Sequence, residues 1–169
     1  MTTIYRQMEL RQLLSLSDPG QTSAMVLEET EPAVPGSQPR ILTIFIGTIE
    51  AHHLGRVMLE DRSPRPMTYE LVFNAIQTLG GVLQRALITR IERNQDQATF
   101  VGALELLTAS GDIVHADARP SDAVLIAARY RVPIYVAEAV LVSAGVTPQP
   151  PGPPTSDSAL GEDDPEENP

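Results

Sequence analysis

From residue 147 onward the chain loses the means to bury itself. Pro148, Pro150, Pro151, Pro153 and Pro154 come in quick succession. Six acids follow (Asp157, Glu162, Asp163, Asp164, Glu166 and Glu167) with no arginine among them. Ordering such a segment costs conformational entropy that no buried apolar surface repays, so residues 147–169 are expected to form a Pro-rich, acidic, disordered tail. What folds is then residues 1–146, the size of one domain. The break also changes how the charge is read. The whole chain carries a formal −10 from 22 acids and 12 basic residues, whereas residues 1–146 set sixteen acids against the same twelve and carry −4. A mildly acidic domain argues against a broad phosphate-binding surface but leaves room for a local arginine-lined groove.

Hydrophobic residues make up 42% of the chain and aromatics 4%, with no Trp, so the core must rest on Leu, Ile, Val and Ala. Cysteine is absent, which excludes disulfides, thiolate metal sites and Cys nucleophiles. Every basic residue is Arg, which removes Schiff-base chemistry and a P-loop lysine. No apolar run approaches a membrane span, and Met1–Glu9 has no apolar core of a secretory leader. No membrane partner and a cytoplasmic location are therefore expected.

Strand-like runs over Met8–Leu16 and Ser23–Glu29 flank the turn signal Asp18-Pro19-Gly20. Glu31–Pro39, with three prolines and a glycine, reads as a loop, and Arg40–Gly47 as a buried strand. Thr48–Leu59 has helical spacing, with Ile49, His53 and Val57 beside Leu54 and Met58. After a polar loop, Asp61–Pro66, Thr68 is placed to cap a second helix that Gly80 stops. Val82–Arg93 and Ala98–Leu107 form a hairpin across Asn94–Gln97, followed by a strand at Asp112–Ala116. A helix opens at Pro120, the strand Ile134–Val136 comes next, and a brief helix starts at Glu138. Helices inserted singly among clustered strands predict an α+β fold: a mixed, largely antiparallel sheet with three to four helices.

Chemistry concentrates in Asp117-Ala118-Arg119-Pro120-Ser121-Asp122-Ala123, where a strand hands over to a helix. Pro120 suits the first helical position, and Ser121 and Asp122 fall in a first turn whose free N–H groups favour an acid or a bound anion. Two further segments share this mixture of acid and arginine at element ends: Phe45-Ile46-Gly47-Thr48-Ile49-Glu50-Ala51 and Arg65-Pro66-Met67-Thr68-Tyr69-Glu70-Leu71. Together with Pro133-Ile134-Tyr135-Val136, these segments resemble the bifunctional nuclease domain family across residues 5–146, the Asp117–Ala123 segment being the most specific. The resemblance implies a nuclease acting on DNA and RNA. It departs at Tyr69, where the family usually has His; a phenol with an ordinary pKa of about 10 is no base at neutral pH.

Phosphodiester hydrolysis needs an activated water, charge stabilisation on phosphate and help for the leaving oxygen. Glu50, Glu70, Asp117 and Asp122 are the candidate catalytic acids, and would hold Mg²⁺ or Mn²⁺ if a divalent ion takes part. Arg65, Arg119 and Ser121 are candidates for holding the phosphate. His115, two residues from Asp117 on the same strand face, is the candidate base. Convergence of Glu50, Arg65, Glu70, Asp117, Arg119 and Asp122 on one cleft is expected. The plainer alternative has Arg119 tying strand to helix through an acid, with Glu70 and Asp122 capping helices. A Ser121–His115–Asp triad lacks the glycines of a nucleophile elbow and is set aside. Glu50 and His53 have Glu-x-x-His spacing, but no second copy exists to complete a carboxylate-bridged metal site.

The competing reading is a non-catalytic module that uses the same cluster to bind an anion or a partner, with the acidic tail as an interaction arm. Nucleic acid is the expected partner under the first reading. In both, the wide apolar arc of Thr48–Leu59 around His52 and His53 favours a homo-oligomer, most simply a two-fold dimer. Deleting residues 148–169 should leave the thermal midpoint unchanged. If the domain binds nucleic acid, the deletion should strengthen binding at low salt only, because tethered acids compete with phosphate until screening intervenes. Titrations of both forms with a labelled oligonucleotide at two salt concentrations check this.

Overall fold

Leu42, Ile44 and Ile46 are buried while Thr43 and Phe45 between them are exposed, the period of two that a half-buried strand imposes. The computed structural model, which describes residues 3–14, 23–94 and 98–148, contains seven strands and four helices among them. In chain order these are β1 Tyr5–Leu14, β2 Ser23–Glu29, β3 Ile41–Ile46, α1 Thr48–Met58, α2 Thr68–Thr78, β4 Val82–Arg93, β5 Ala98–Leu107, β6 Ile113–Ala118, α3 Pro120–Tyr130, β7 Ile134–Ala137 and α4 Glu138–Ala144. The sheet order is β3-β2-β1-β7-β4-β5-β6. Every neighbouring pair is antiparallel except β4 with β7. The mixed, largely antiparallel α+β fold is the one expected. The turn Asp18–Gly20, Leu16, residues 95–97 of the hairpin loop, and the tail from residue 149 lie outside the described residues.

One sheet face makes the core. Leu27 and Leu42 are paired across β2 and β3, as Ile134 and Ala86 are across β7 and β4. All join Leu54 and Val57 of α1, the buried side of α3, and Val140 and Leu141 of α4 in a single cluster. Ala24, Val26, Leu87 and Ala103, each one residue out of phase, are buried but outside that cluster. Four strands separate β3 from β5 in the sheet, yet Ile44–Gly47 and Ala98–Phe100 border a common hollow with the start of α3. The sheet therefore curls around α3, whose Pro120, Ser121 and Ala123–Ala127 are all buried.

Two local expectations change. The cap of α2 is Met67 rather than Thr68, because the Glu70 carboxylate reaches back to accept the Met67 N–H at 2.9 Å. On α1 only Leu54 and Val57 are buried; Ile49 is 71% exposed and Met58 also faces solvent. Gly80 does end α2, at φ +78°, a conformation that favours glycine.

The far end of the sheet is held by ions. Arg40 donates to Glu29 at 2.6 and 3.0 Å and to Glu138 at 2.9 and 3.0 Å, and Arg6 donates to Glu138 at 2.8 Å. The Glu29 side chain is fully enclosed. Burial pushes its carboxyl up, and the hydrogen bonds from Arg40 more than reverse that. Bonds from Arg40 and then Arg6 hold Glu138 at about 2 against an ordinary 4.5. A carboxyl depressed in the folded state contributes stability above its unfolded pKa and loses it as pH falls through the folded one. Glu138→Gln should thus destabilise the domain by about 2–3 kcal/mol at neutral pH and flatten the loss of stability below pH 4.5. Urea unfolding of both proteins across that range measures it.

Candidate active site

β6 ends at Ala118 and α3 begins at Pro120, so Arg119 is the single residue at the corner, with extended backbone (φ −66°, ψ 148°). That corner lies hard against β5 at Gly102. A Cβ there would meet the Ala118 carbonyl oxygen at 2.9 Å and Pro120 N and Cα at 3.1 and 3.2 Å. Only glycine allows this approach, and the approach fixes where Arg119 points.

Arg119 gathers two acids, one 3 residues along the chain and the other 69 residues away. Its Nε and Nη2 donate to the Asp122 carboxylate at 2.8 and 3.1 Å, and its Nη1 donates to Glu50 Oε1 at 2.6 Å. Asp122 first, then Glu50, raises the guanidinium above its ordinary pKa, so it stays charged. Three of its five N–H groups are used in these bonds, and the side chain is 65% exposed. The remaining two can meet a phosphate oxygen. Glu50 lies in the first turn of α1 and folds back over Gly47, where a Cβ would overlap its carboxylate.

Beside this triplet runs a groove of about 580 Å³. Leu104 and Leu106 of β5, Leu125 and Ile126 of α3, and Val72 and Ile76 of α2 give it apolar walls. Its polar lining comprises Glu50, Asp117, Arg119 and Asp122 with His53, Thr68 and Tyr69. The His53 and Tyr69 rings sit 5.8 Å apart. Burial raises the Tyr69 phenol, which therefore holds its proton at neutral pH.

The other expected residues go elsewhere. Arg65 lies exposed in the α1–α2 loop and does not border the groove. Glu70 is buried: its carboxylate accepts from Met67 N–H and from Arg129 of α3, which hold it below the usual carboxylate range. Glu70 thus caps α2 and ties it to α3, and the expectation that all six charged residues converge fails for Arg65 and Glu70. His115 pairs with Glu105 across β5–β6 at 3.1 Å, on the sheet face away from the core. Glu105 also takes both arms of Arg85 at 2.8 Å, and bonds from Arg85 and then His115 hold its carboxyl low. Asp117, on the edge strand, borders both the groove and a hollow beside His115. Ser121 is buried on the opposite side of Arg119 from the groove walls. Sequence reasoning missed Glu105, although a lone acid inside the apolar run Val101–Leu107 signals a partnered charge. The role of Arg129 left no such trace.

Mg²⁺ and Mn²⁺ take clustered oxygen ligands. Among the described residues no three His, Asp or Glu side chains come close enough to share an ion. Glu50 and Asp122 are matched by Arg119, and Glu70 by Arg129. The side chains as arranged do not fit a divalent-ion site. Gly102→Ala should destabilise the domain by about 1–3 kcal/mol, since backbone must give way. Denaturant unfolding checks this, and loss of the Arg119–Glu50 contact should accompany it in a structure of the variant.

Two uncharacterized proteins from two strains of Mycobacterium tuberculosis are each 36% identical to this chain over 107 residues, which is 63% of this chain and 60% of theirs. The chain therefore spans less than two thirds of the length of these relatives. The pattern of the bifunctional nuclease domain matches residues 33–149, from the loop before β3 through α4, with every residue of the groove inside it. On that match this chain belongs to the bifunctional nuclease domain family.

Proposed function

We propose that this protein is a nuclease that hydrolyses phosphodiester bonds of DNA or RNA in the groove at Arg119. The observation that carries this reading is the exposed guanidinium, held rigid by two carboxylates while keeping two N–H groups open beside a groove. Arg119 meets the non-bridging oxygens and stabilises the charge that grows on them in the transition state. Asp122 holds the guanidinium in place. Glu50 bonds Arg119 through Oε1, and its carboxylate, which borders the groove, takes a proton from the attacking water as that oxygen bonds to phosphorus. The leaving oxygen accepts a proton from the groove wall, where the Tyr69 O–H is a donor.

Arg119→Ala should lower hydrolysis about 10²–10³-fold and Tyr69→Phe about 10²-fold, with the thermal midpoint little changed. The assay uses labelled DNA and RNA with Mg²⁺, with Mn²⁺ and with a chelator. Tyr69 itself favours the second reading, a non-catalytic anion-binding module, because a buried phenol cannot replace a histidine base. Oligonucleotide bound by the wild type but never cleaved would establish that reading and reject the first.

We also propose that the protein assembles as a dimer through the exposed Met58 and Leu59 at the C-terminal end of α1. Light scattering should give twice the chain mass at micromolar concentration. The monomer mass throughout would reject it.

A further inference from the structure

The Glu50–Arg119 bridge is a wall with space on both sides. Behind it, away from the groove, lies a second hollow of about 350 Å³. Two helices begin at its rim: α1 after Gly47 and α3 after Arg119, and neither start carries a side-chain cap. The start of α1 is covered by the Glu50 carboxylate folded over Gly47, whereas the first turn of α3 opens at the hollow with the Ser121 N–H free of an intrahelical acceptor. Ser121 sits there, 7% exposed. Its hydroxyl has no hydrogen-bond partner among the described residues; because no fully enclosed polar side-chain atom among them lacks a partner, the hydroxyl must open into the hollow. The Glu50 carboxylate also borders this space, but its charge is met by Arg119 at 2.6 Å. The remaining walls are Ile44, Ile46, Phe45 and Phe100, with Phe45 67% exposed.

We infer that this hollow is a second phosphate subsite, holding the phosphate next to the one at Arg119 and stacking that nucleotide's base on Phe45. The inference rests on the nuclease reading for its choice of ligand. Ser121 Oγ and the Ser121 N–H at the start of α3 donate to the phosphate, and Arg119 is shared between neighbouring phosphates. Aromatic faces accept any base that is free to unstack. A paired base cannot turn onto Phe45, so the strand that crosses the bridge is unpaired.

The test uses the full chain and a deoxyadenylate dinucleotide made with a 5′-phosphate, with a 3′-phosphate or with neither, titrated by calorimetry. One phosphorylated form should bind about tenfold more tightly than the bare dinucleotide. Ser121→Ala should bring the two within about twofold of each other, and Phe45→Ala should weaken all forms several-fold, with both variants melting like the wild type. Equal binding of all three forms by the wild type, or discrimination that survives Ser121→Ala, overturns the subsite. Hydrolysis is scored separately. Phosphate discrimination without cleavage of any nucleic acid keeps the subsite and rejects the nuclease, whereas cleavage without discrimination does the reverse.

Discussion

Enclosure of α3 by the curled sheet is the constraint from which the rest of the structure follows. Seven of its eleven residues are buried, and Ala123 and Ala127 present no more than a methyl group to their neighbours. A helix of small and branched residues can sit deep inside a sheet because strands approach it closely without voids. The same enclosure draws the β6–α3 corner onto Gly102, so the corner has one allowed course. Arg119 is aimed by packing, and the acids then find it.

Among the described residues, the enclosed acids are paired with arginine. Glu29 and Glu138 share Arg40, Glu105 takes Arg85 and His115, Glu70 takes Arg129, and Glu50 and Asp122 share Arg119. Glu29, Glu105 and Glu70 of the first three groups are well enclosed, and their worth lies in fixing which elements meet; removing the arginine would strand a buried charge. The fourth differs in exposure. Its guanidinium is 65% exposed while one of its acids is only 21% exposed, so a bound anion can reach the cation without first separating it from Glu50. That difference sets Arg119 apart from Arg40, which has the same chemistry but a side chain only 17% exposed.

The groove and the hollow are distinguished by their linings. Aliphatic side chains dominate the groove, whereas two helix starts and a buried hydroxyl border the hollow. Tyr69 adds to the groove a donor that burial keeps protonated.

Much of the fold was legible in the chain. Alternation in Ile41–Ile46, Pro120 at a helix start and Gly80 at a helix end each act within a few residues, where backbone sterics and local burial decide the outcome. The grouping of Glu50, Arg119 and Asp122 was legible as well, because acids and arginine gathered at element ends. What the chain could not reveal was partnership at long range. Glu70 and Glu50 look alike in sequence, each in the first turn of a helix, yet one is closed off by Arg129 while the other opens to a groove. His115 and Asp117 share a strand face, but which way that face looks depends on how β6 pairs with β5. The hollow at Ser121 exists only because β3 and β5, four strands apart in the sheet, are brought together by its curl. By itself the sequence determined the elements, their order and the residues capable of chemistry, because those depend on neighbours along the chain. Only the tertiary structure decided which charges are matched, which stay open and which face each other, because burial and pairing are properties of surfaces that meet after folding.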